Sequence, residues 1–571
     1  MDSKRIFLYA ALIILGFALW RAWQTDYPPQ HTPLTSPTAS SQAASDDVTT
    51  QGASVTSKTA SGDTDGAKAA LTQSDKAGEL IQVHTDVLNI AIDTRGGRIV
   101  EASLPKYPQA LDTPNKPYVL FNQDPNNLYL AKSALVSQQG PDSPNNGQAL
   151  FKAEKTSYHM SPDEKQLVVN LHWQGQDGLD VVKSYTFERG SYDIKVDYKV
   201  TNNSSKVWQG HTVNAITRVN NPPTVPGMFQ VHAYFGASIS TADKPYEKIK
   251  FKAMDEKNLS VNSQGGWAAM QEHYFLSAWA PNQDQENHFF SHAKEYKDPN
   301  GNTDPSKNLY TIGVAGPQLT IQPGATLTTG SQLYVGPEIA EYLNAVAPNL
   351  KLTIDYGWLW FISQIIFWLM QKIYLVVGNW GWSIVLVTVL IKGLFYKLSA
   401  KSYKSMANMR NLTPKIQALK ERFGDDREKL SRATMELYKK EKVNPLGGCL
   451  PILVQIPVFI ALYWVLIESV QLRQAPFILW IHDLSVKDPY YILPILFGLT
   501  MLVQQKLNPP PPDPTQAKLM MFLPVMMTFI FLNFPAGLVL YMFVNSAMSV
   551  LQQWLIMRSH GKTVAKKCRA S

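Results

Sequence analysis

The residues with the clearest chemical potential are polar side chains placed inside apolar runs near the C-terminal end of the chain. Lys392 interrupts the apolar run 383–398, and Thr388 lies four residues before it, so both share one helix face. A lysine in a membrane span costs about 2.5–3.5 kcal/mol on insertion scales, so its presence indicates a functional site. Snorkelling stays open as an alternative, because the run ends roughly 9 Å beyond Lys392 and a lysine stem covers much of that distance.

Further polar side chains occur in other apolar runs. Gln455 lies in one such run, and Asn545 and Ser549 lie one helical turn apart in the run 536–556. Each of these groups is costly in hydrocarbon unless it finds a partner or water. Polar faces on separate helices therefore predict a shared, water-containing cavity around Lys392.

Signatures of the common enzyme classes are missing from the sequence, so we expect neither an enzyme nor a bound metal or cofactor. The chain has no HExxH, no Gly-x-Ser-x-Gly and no glycine-rich phosphate loop. Its two cysteines, Cys449 and Cys568, are far apart, which excludes a disulfide framework. His273 is open to a catalytic or a structural interpretation, of which the structural one is favoured. A small-solute transporter is a further alternative, but no internal repeat supports it.

Six membrane spans position the polar residues in the predicted architecture, with both termini in the cytoplasm. The spans are predicted at about 1–23, 381–398, 447–468, 490–505, 518–533 and 536–556. A seventh span at Gly357–Val377 would move the basic segment 397–442 outside, against the positive-inside tendency. We therefore predict an interfacial amphipathic helix at 355–380, lying in the plane of the membrane.

Positive charge is concentrated beside the predicted spans. The segment 397–442 carries 13 Lys and Arg against 6 Asp and Glu, a surplus of 7. It predicts a cytoplasmic helical hairpin at 401–442, in which 402–411 continues the preceding span and Thr413-Pro414 begins a new helix. Residues 558–571 form a predicted basic cytoplasmic tail. Binding of lipid headgroups and contact with a client or ribosome both stay open for this basic surface, and no direct nucleic-acid readout is expected.

The N-terminal part predicts a tether and a large exported β-domain. Residues 24–80 are rich in Ser, Thr, Ala, Gln, Asp and Pro, which predicts a flexible linker. From 81 to 350 the apolar residues follow a period of two, most clearly over 193–201, and 83–93 is predicted as another strand. Turn signals separate these runs, so we predict an antiparallel β-sandwich on the periplasmic side.

Several long motifs carry a resemblance to a known family. They are KVNPLGGCLP at 442–451, RQAPF at 473–477, LWIHDL at 479–484, DPYYILP at 488–494 and FPAGLVLY at 534–541. In this order they resemble the bacterial YidC insertase family, and the match covers about 355–553. The N-terminal anchor and the large β-domain are typical of its Gram-negative members.

The resemblance implies a polytopic inner-membrane protein whose five-helix core encloses a hydrophilic groove, open to the cytoplasm and to lipid. It implies a protein that inserts and helps to fold nascent inner-membrane proteins, alone or with the Sec translocon and its accessory subunits. Translating ribosomes, through the basic hairpin and tail, and membrane lipids are further implied partners. The periplasmic domain is implied to resemble a β-supersandwich without a known enzymatic role.

The resemblance also implies roles for particular residues. Lys392 takes the positive charge of the groove, Gln455, Asn545 and Ser549 match groove-lining positions, and client contacts are expected at Pro451, Phe459 and Met542. Two positions depart from the family pattern. Lys392 stands where arginine is usual, which keeps the charge but loses the planar fork of donors. Met542 stands where tyrosine is common, which removes a hydroxyl but keeps an adaptable apolar contact.

Overall fold

The chain forms a β-rich part up to Pro337, followed by a helical part. The computed structural model describes residues 78–143, 147–222, 233–297, 301–424, 426–441, 450–508 and 514–570. Side chains are described for these residues except at 410, 413, 427, 450–453, 514–517 and 560–570. The predicted anchor at 1–23 and nearly all of the predicted linker at 24–80 lie outside the described residues.

The first sheet of the β-rich part is 13-stranded. Its strands are β1 (Leu80–His84), β2 (Asn89–Asp93), β3 (Arg98–Pro108), β4 (Pro117–Phe121), β5 (Tyr129–Val136), β6 (Asp142–Ser143), β7 (Gly147–Gln148), β9 (Ser157–His159), β13 (Trp208–Val219), β16 (Ser260–Gln264), β19 (Glu286–Lys294), β20 (Leu309–Ala315) and β21 (Leu319–Ile321). The main path runs β16-β19-β20-β13-β5-β3-β2-β1-β9, with β4, β6, β7 and β21 paired beside it. Pairing is antiparallel except between β1 and β9 and between β5 and β6.

The second sheet is 9-stranded. Its strands are β8 (Lys152–Ala153), β10 (Gln166–Gln174), β11 (Leu179–Glu188), β12 (Asp193–Asn202), β14 (Gly236–Ser240), β15 (Glu247–Ile249), β17 (Trp267–Gln271), β18 (Phe275–Ala280) and β22 (Thr326–Pro337). They are ordered β15-β14-β17-β18-β22-β12-β11-β10-β8. β12 alternates buried and more exposed residues along most of its length, which confirms the strand predicted over 193–201.

The two sheets pack face to face around an aromatic core. Trp279 on β18 donates its indole N–H to Ala215 O on β13 at 3.2 Å, and the Tyr129 hydroxyl on β5 lies 2.7 Å from Ser277 Oγ on β18. All four residues are fully or almost fully buried. These two buried polar groups therefore find partners across the sheets, which avoids the cost of leaving them unpaired.

The single strand predicted over 83–93 is wrong, because the chain reverses inside it. β1 ends at His84 and β2 begins at Asn89, and the two strands are antiparallel neighbours. Thr85 makes the turn: its Oγ1 accepts hydrogen bonds from the N–H groups of Val87 at 3.2 Å and Leu88 at 2.9 Å. A threonine side chain that bonds its own backbone offers an alternative to the sheet ladder.

The described helices are α1 (Phe251–Glu256), α2 (Ala340–Val346), α3 (Trp360–Val377), α4 (Trp380–Leu394), α5 (Tyr396–Phe423), α6 (Arg427–Lys440), α7 (Leu450–Glu468), α8 (Ile492–Leu507), α9 (Pro514–Phe531) and α10 (Ala536–Ala570). The helix α1 lies within the β-rich part, and the other helices follow it. The helix α10 packs against α4 and α8, while α3 packs against α4 and α7. This arrangement brings α4 and α10, which carry Lys392 and Ser549, side by side.

The sequence predicted that residues 402–411 continue the helix that contains Lys392. In the structure this helix ends at Leu394, and residues 402–411 belong to the next helix, α5. The axes of α4 and α5 differ by 67° across Phe395, whose N–H reaches both Ile391 O and Gly393 O. Glycine at 393 lowers the cost of leaving the helix there. Pro414 lies inside α5 and does not begin a new helix, so that prediction is also wrong. Pro414 is exposed, so water can satisfy the carbonyl that its ring leaves without a donor.

Length and composition identify the described helices that can cross a membrane. Gly357–Val377 and Ala536–Ser559 meet both criteria alone, and α4 with the first part of α5 meets them as one bent pair. The described helices Val454–Glu468, Ile492–Leu507 and Lys518–Phe531 are apolar but shorter. The six-span topology and the in-plane position of Gly357–Val377 therefore stay predictions.

Hydrogen bonds join the β-rich part to the end of α7 and to the segment that follows it. Arg473 Nη2 donates to Pro108 O at 2.8 Å and to Gln109 O at 3.1 Å. His273 Nε2 donates to Ile467 O, in the last turn of α7, at 2.9 Å. A side chain from each part thus binds the main chain of the other.

Candidate functional site

The ammonium of Lys392 reaches from α4 to α10. Lys392 is only 2% exposed, and its Nζ donates to Ser549 Oγ at 2.6 Å. Ser549 Oγ donates in turn to Asn545 O, one turn earlier in the same helix, at 2.8 Å. The lysine stem therefore extends sideways to a neighbouring helix instead of running along its own helix toward its end.

The charge of Lys392 has no anionic partner within the described part of the chain. The hydrogen bond of its ammonium there is to the neutral hydroxyl of Ser549, and none of the ion pairs among described residues includes it. A buried charge costs free energy unless a counter-charge or several hydrogen bonds offset the loss of water. The site therefore holds an uncompensated positive charge.

Five further buried polar residues, which the sequence prediction missed, lie on α5 and α10. They are Ser399, Ser402, Tyr403, Gln552 and Gln553. Gln552 Nε2 donates to Lys392 O at 3.3 Å, and the Tyr403 side chain lies beside Ser549. The sequence contains a signal for the two glutamines, because they are adjacent amides in an apolar run, three and four residues after Ser549. The buried residues of α5 could not be predicted from the sequence, because their position depends on the bend at Phe395.

The two glutamines leave acceptors open in this region. Gln553 Nε2 donates to Asn508 Oδ1 at 3.1 Å, at the end of α8. The Oε1 atoms of Gln552 and Gln553 are buried and have no hydrogen-bond partner among the described residues. Buried acceptors are rarely left unpaired in folded proteins, so these oxygens need water or an incoming donor. The site thus combines a charged donor with unfilled acceptors.

The remaining groove residues predicted from the sequence are not bonded to Lys392. Thr388 is almost fully buried, and its hydroxyl donates to Ile384 O of its own helix at 2.6 Å. Gln455 and Asn545 are half-buried, and neither side-chain amide hydrogen-bonds to a residue that the structure describes. The structure therefore joins Lys392 and Ser549 directly and leaves the amides free to meet solvent.

The residues predicted to contact clients lie on α7 and α10. The ring of Phe459 stacks with that of Tyr541 at a centroid distance of 6.2 Å, and the half-buried Met542 follows Tyr541 in the chain. Pro451 lies in the first turn of α7, but its side chain is not among those described. The contact of Phe459 with Tyr541 links these two helices through aromatic side chains.

His273 has the environment of a structural histidine. Its ring stacks on Tyr274 at a centroid distance of 3.8 Å, and its Nε2 donates to the main-chain carbonyl of Ile467. These two contacts fix the orientation of the ring. Burial lowers the pKa of His273 to about 4, which keeps the ring neutral near pH 7. Among the described residues, no three histidine, cysteine or acidic side chains come together as metal ligands would.

The basic segment forms two helices joined by a short turn. The helix α5 ends at Phe423 and is followed by Gly424, which has a φ of 51°. Asp426 caps α6 by accepting a hydrogen bond from Lys429 N at 3.1 Å. Lys415 and Glu441 connect the two helices through an ion pair of 2.6 Å. The other lysines at the ends of these helices, including Lys420, Lys439 and Lys440, are exposed.

Two family models together match most of the chain. The YidC periplasmic domain model matches residues 80–369, and the 60Kd inner membrane protein model matches residues 372–563. The membrane protein insertase YidC of Coxiella burnetii (strain RSA 331) is 50% identical over 575 residues, covering 99% of this chain and 98% of the relative. That of Legionella pneumophila (strain Corby) is 50% identical over 576 residues, covering 100% of both.

These matches define an inner-membrane protein class whose members insert other proteins and are not enzymes. More specifically, the chain belongs to the YidC family of membrane protein insertases, which confirms the resemblance carried by its motifs. A solved structure of an active YidC insertase covers 84% of this chain and 92% of that chain, at 17% identity and a TM-score of 0.37.

Proposed function

We propose that this protein inserts nascent inner-membrane proteins through a polar groove centred on Lys392. The observation that carries this proposal is the buried ammonium, which bonds to neutral Ser549 and has no described carboxylate beside it. An acidic residue in the hydrophilic tail of a client would supply the missing counter-charge. The groove would then replace part of the solvation that such a tail loses in the bilayer.

The neighbouring acceptors extend this proposal to the main chain of the client. An extended polypeptide brings N–H groups that need acceptors, and the Oε1 atoms of Gln552 and Gln553 are buried without partners among the described residues. Lys392 would hold the acidic side chain while the glutamines accept main-chain hydrogen bonds. The half-buried Gln455 and Asn545 would keep water in the same space.

The apolar segment of the client would leave the groove along α7 and α10. The half-buried Phe459 and Met542 offer an aromatic and adaptable apolar surface there, with Pro451 in the first turn of α7. Burial of the client's apolar segment in lipid drives the overall transfer, and the membrane potential adds to it for acidic tails. A facilitator of this kind needs no fuel of its own.

The proposed topology has six spans, with both termini in the cytoplasm, the β-rich part in the periplasm and α3 in the membrane plane. The surplus of 7 positive charges over 397–442 supports a cytoplasmic position for α5 and α6. Their exposed lysines, together with the basic tail at 558–571, would contact translating ribosomes and anionic lipids. Cooperation with the Sec translocon is part of the same proposal and follows from the family resemblance.

The proposal is tested by insertion into liposomes that contain this protein alone. The client has one apolar segment and an acidic tail, and protease protection of the tail measures insertion. We expect Lys392→Ala to slow insertion about ten-fold or more, because the hydrogen-bonded charge pair between the ammonium and the client's carboxylate is lost. Lys392→Arg should retain activity, since it keeps the charge.

Two controls separate the groove charge from general damage. Lys372→Ala removes an exposed lysine from α3 and should leave insertion unchanged. A client whose acidic tail residues are replaced by their amides should insert equally with native protein and with Lys392→Ala. If Lys392→Ala slows insertion of the amide client as strongly as insertion of the acidic client, charge attraction by Lys392 is not the mechanism.

A further inference from the structure

A cavity of about 350 Å³ lies where the β-rich part meets α3, and Lys392 is not among the residues that line it. Its walls come from Tyr246 of the β-rich part, from α2, from the segment that links α2 to α3, and from α3 itself. The polar and aromatic residues that matter for binding are Glu341, Lys351, Asp355, Trp360, Gln364 and Trp368. The cavity thus brings charged groups and indole rings into one space.

One cation and one anion of this cavity are free to bind a ligand. Lys351 and Glu341 are exposed, and neither side chain forms an ion pair or hydrogen bond with a described residue. Asp355 is already engaged, because it pairs with Lys248 at 2.5 Å and accepts a hydrogen bond from Gly357 N at 2.9 Å. The available charges therefore suit a ligand that carries both a negative and a positive group.

The helix α3 turns one face to the cavity and an adjacent face outward. Positions 360, 364, 367, 368 and 371 line the cavity and follow helical spacing of i, i+4, i+7, i+8 and i+11. Phe361 and Ile365, on the adjacent face, are 50% and 65% exposed. In an inner-membrane protein, such an exposed apolar face meets lipid. The cavity accordingly opens beside the lipid-facing surface of α3.

We propose that this cavity binds the headgroup of a phospholipid with a phosphate and a primary amine, as in phosphatidylethanolamine. Lys351 binds the phosphate, Glu341 accepts hydrogen bonds from the ammonium group, and the acyl chains follow the exposed apolar face of α3. Trp360 and Trp368 are each 56% exposed, and exposed indole rings favour the headgroup layer of a membrane. This proposal rests on the membrane location of the family and not on the function of Lys392.

The chemistry distinguishes this headgroup from other common ones. A quaternary ammonium carries the same charge but cannot donate hydrogen bonds to Glu341, so phosphatidylcholine should bind more weakly. Phosphatidylglycerol lacks a positive group, and its phosphate would lie near the uncompensated Glu341 carboxylate. Free glycerophosphoethanolamine has the same polar group without acyl chains, so its binding shows whether the apolar face of α3 contributes to the affinity for the lipid.

Native mass spectrometry of the full chain in detergent, titrated with each of these molecules, tests the proposal. We expect one saturable phosphatidylethanolamine site, with about ten-fold weaker binding of phosphatidylcholine and of free glycerophosphoethanolamine. Lys351→Gln should weaken binding of every phospholipid about ten-fold, and Lys351→Arg should restore it. Glu341→Leu, which removes the side-chain acceptors, should remove the preference for phosphatidylethanolamine over phosphatidylcholine. Lys372→Gln, on α3 but outside the cavity, should change nothing.

Three results would overturn the proposal. They are the absence of a saturable lipid site, equal binding to the native chain and to Lys351→Gln, and a preference for phosphatidylethanolamine over phosphatidylcholine that survives Glu341→Leu. Because lipid binding is measured directly, the outcome does not depend on whether the protein inserts clients. Insertion measured on the same preparations shows separately whether the proposed function fails.

Discussion

Arg473→Ala should loosen the junction between the β-rich part and the helices. The guanidinium donates through Nη2 to Pro108 O at 2.8 Å and Gln109 O at 3.1 Å, and it lies 5.5 Å and 5.6 Å from the ring centroids of Tyr118 and Phe275. Because Arg473 forms all of these interactions from one loop, its truncation removes them together.

The size of the effect follows from the hydrogen bonds and ring interactions that the guanidinium makes. A hydrogen bond to a charged group contributes about 1.5–3 kcal/mol, and the two bonds share one nitrogen, so they count as little more than one. Cation–π interactions at a half-exposed site add about 0.5–1 kcal/mol. A total of about 2–4 kcal/mol would raise the population of the undocked junction about 30- to 700-fold.

Amide hydrogen exchange of the full chain in nanodiscs measures this population. Peptides covering 108–118 and 470–484 should exchange faster in Arg473→Ala, whereas peptides from β11 and β12 should not change. Arg189→Ala is the matched control, because Arg189 also donates to two main-chain carbonyls, those of Glu164 and Ser161, but inside the β-rich part. Unchanged exchange at 108–118 and 470–484 would refute the reasoning and leave His273 and Gln474 as the groups that hold the junction.

Two further predictions concern pH and topology. Burial raises the pKa of Glu338 well above its ordinary 4.5, so the folded state binds more protons than the unfolded state and the free energy of unfolding falls as pH rises above about 4.5. Glu338→Gln keeps the acceptor for Gln271 Nε2 and removes the titrating group, so the free energy of unfolding should depend less on pH. Thermal unfolding between about pH 5 and about pH 8 measures this dependence. An equal dependence on pH in the native protein and in Glu338→Gln would contradict the prediction. The topology is tested with an impermeant thiol reagent in a Cys449→Ser background. The reagent should label Lys487→Cys from the periplasm, and it should label Cys568 only after the membrane is opened. Labelling of both cysteines from the same side would exclude the six-span topology.

The sequence alone determined the class of this protein and much of its local order. The period-two pattern of Asp193–Asn202 and the helical spacing of Lys392 with Thr388, and of Asn545 with Ser549, follow from backbone geometry that neighbouring residues share. Motifs at 442–451 and 534–541 indicated the family. These features depend on short stretches of chain, so they are readable without knowing how distant segments meet.

Only the tertiary structure decided which distant groups meet. It paired Lys392 with Ser549, brought Tyr403 beside them through the 67° bend at Phe395, and buried the acceptors of Gln552. It also reversed the chain at Thr85, where a side chain that bonds its own backbone outweighs a continuous alternation of apolar residues. Such outcomes depend on packing between segments that are far apart in sequence, where periodicity carries no information about partners.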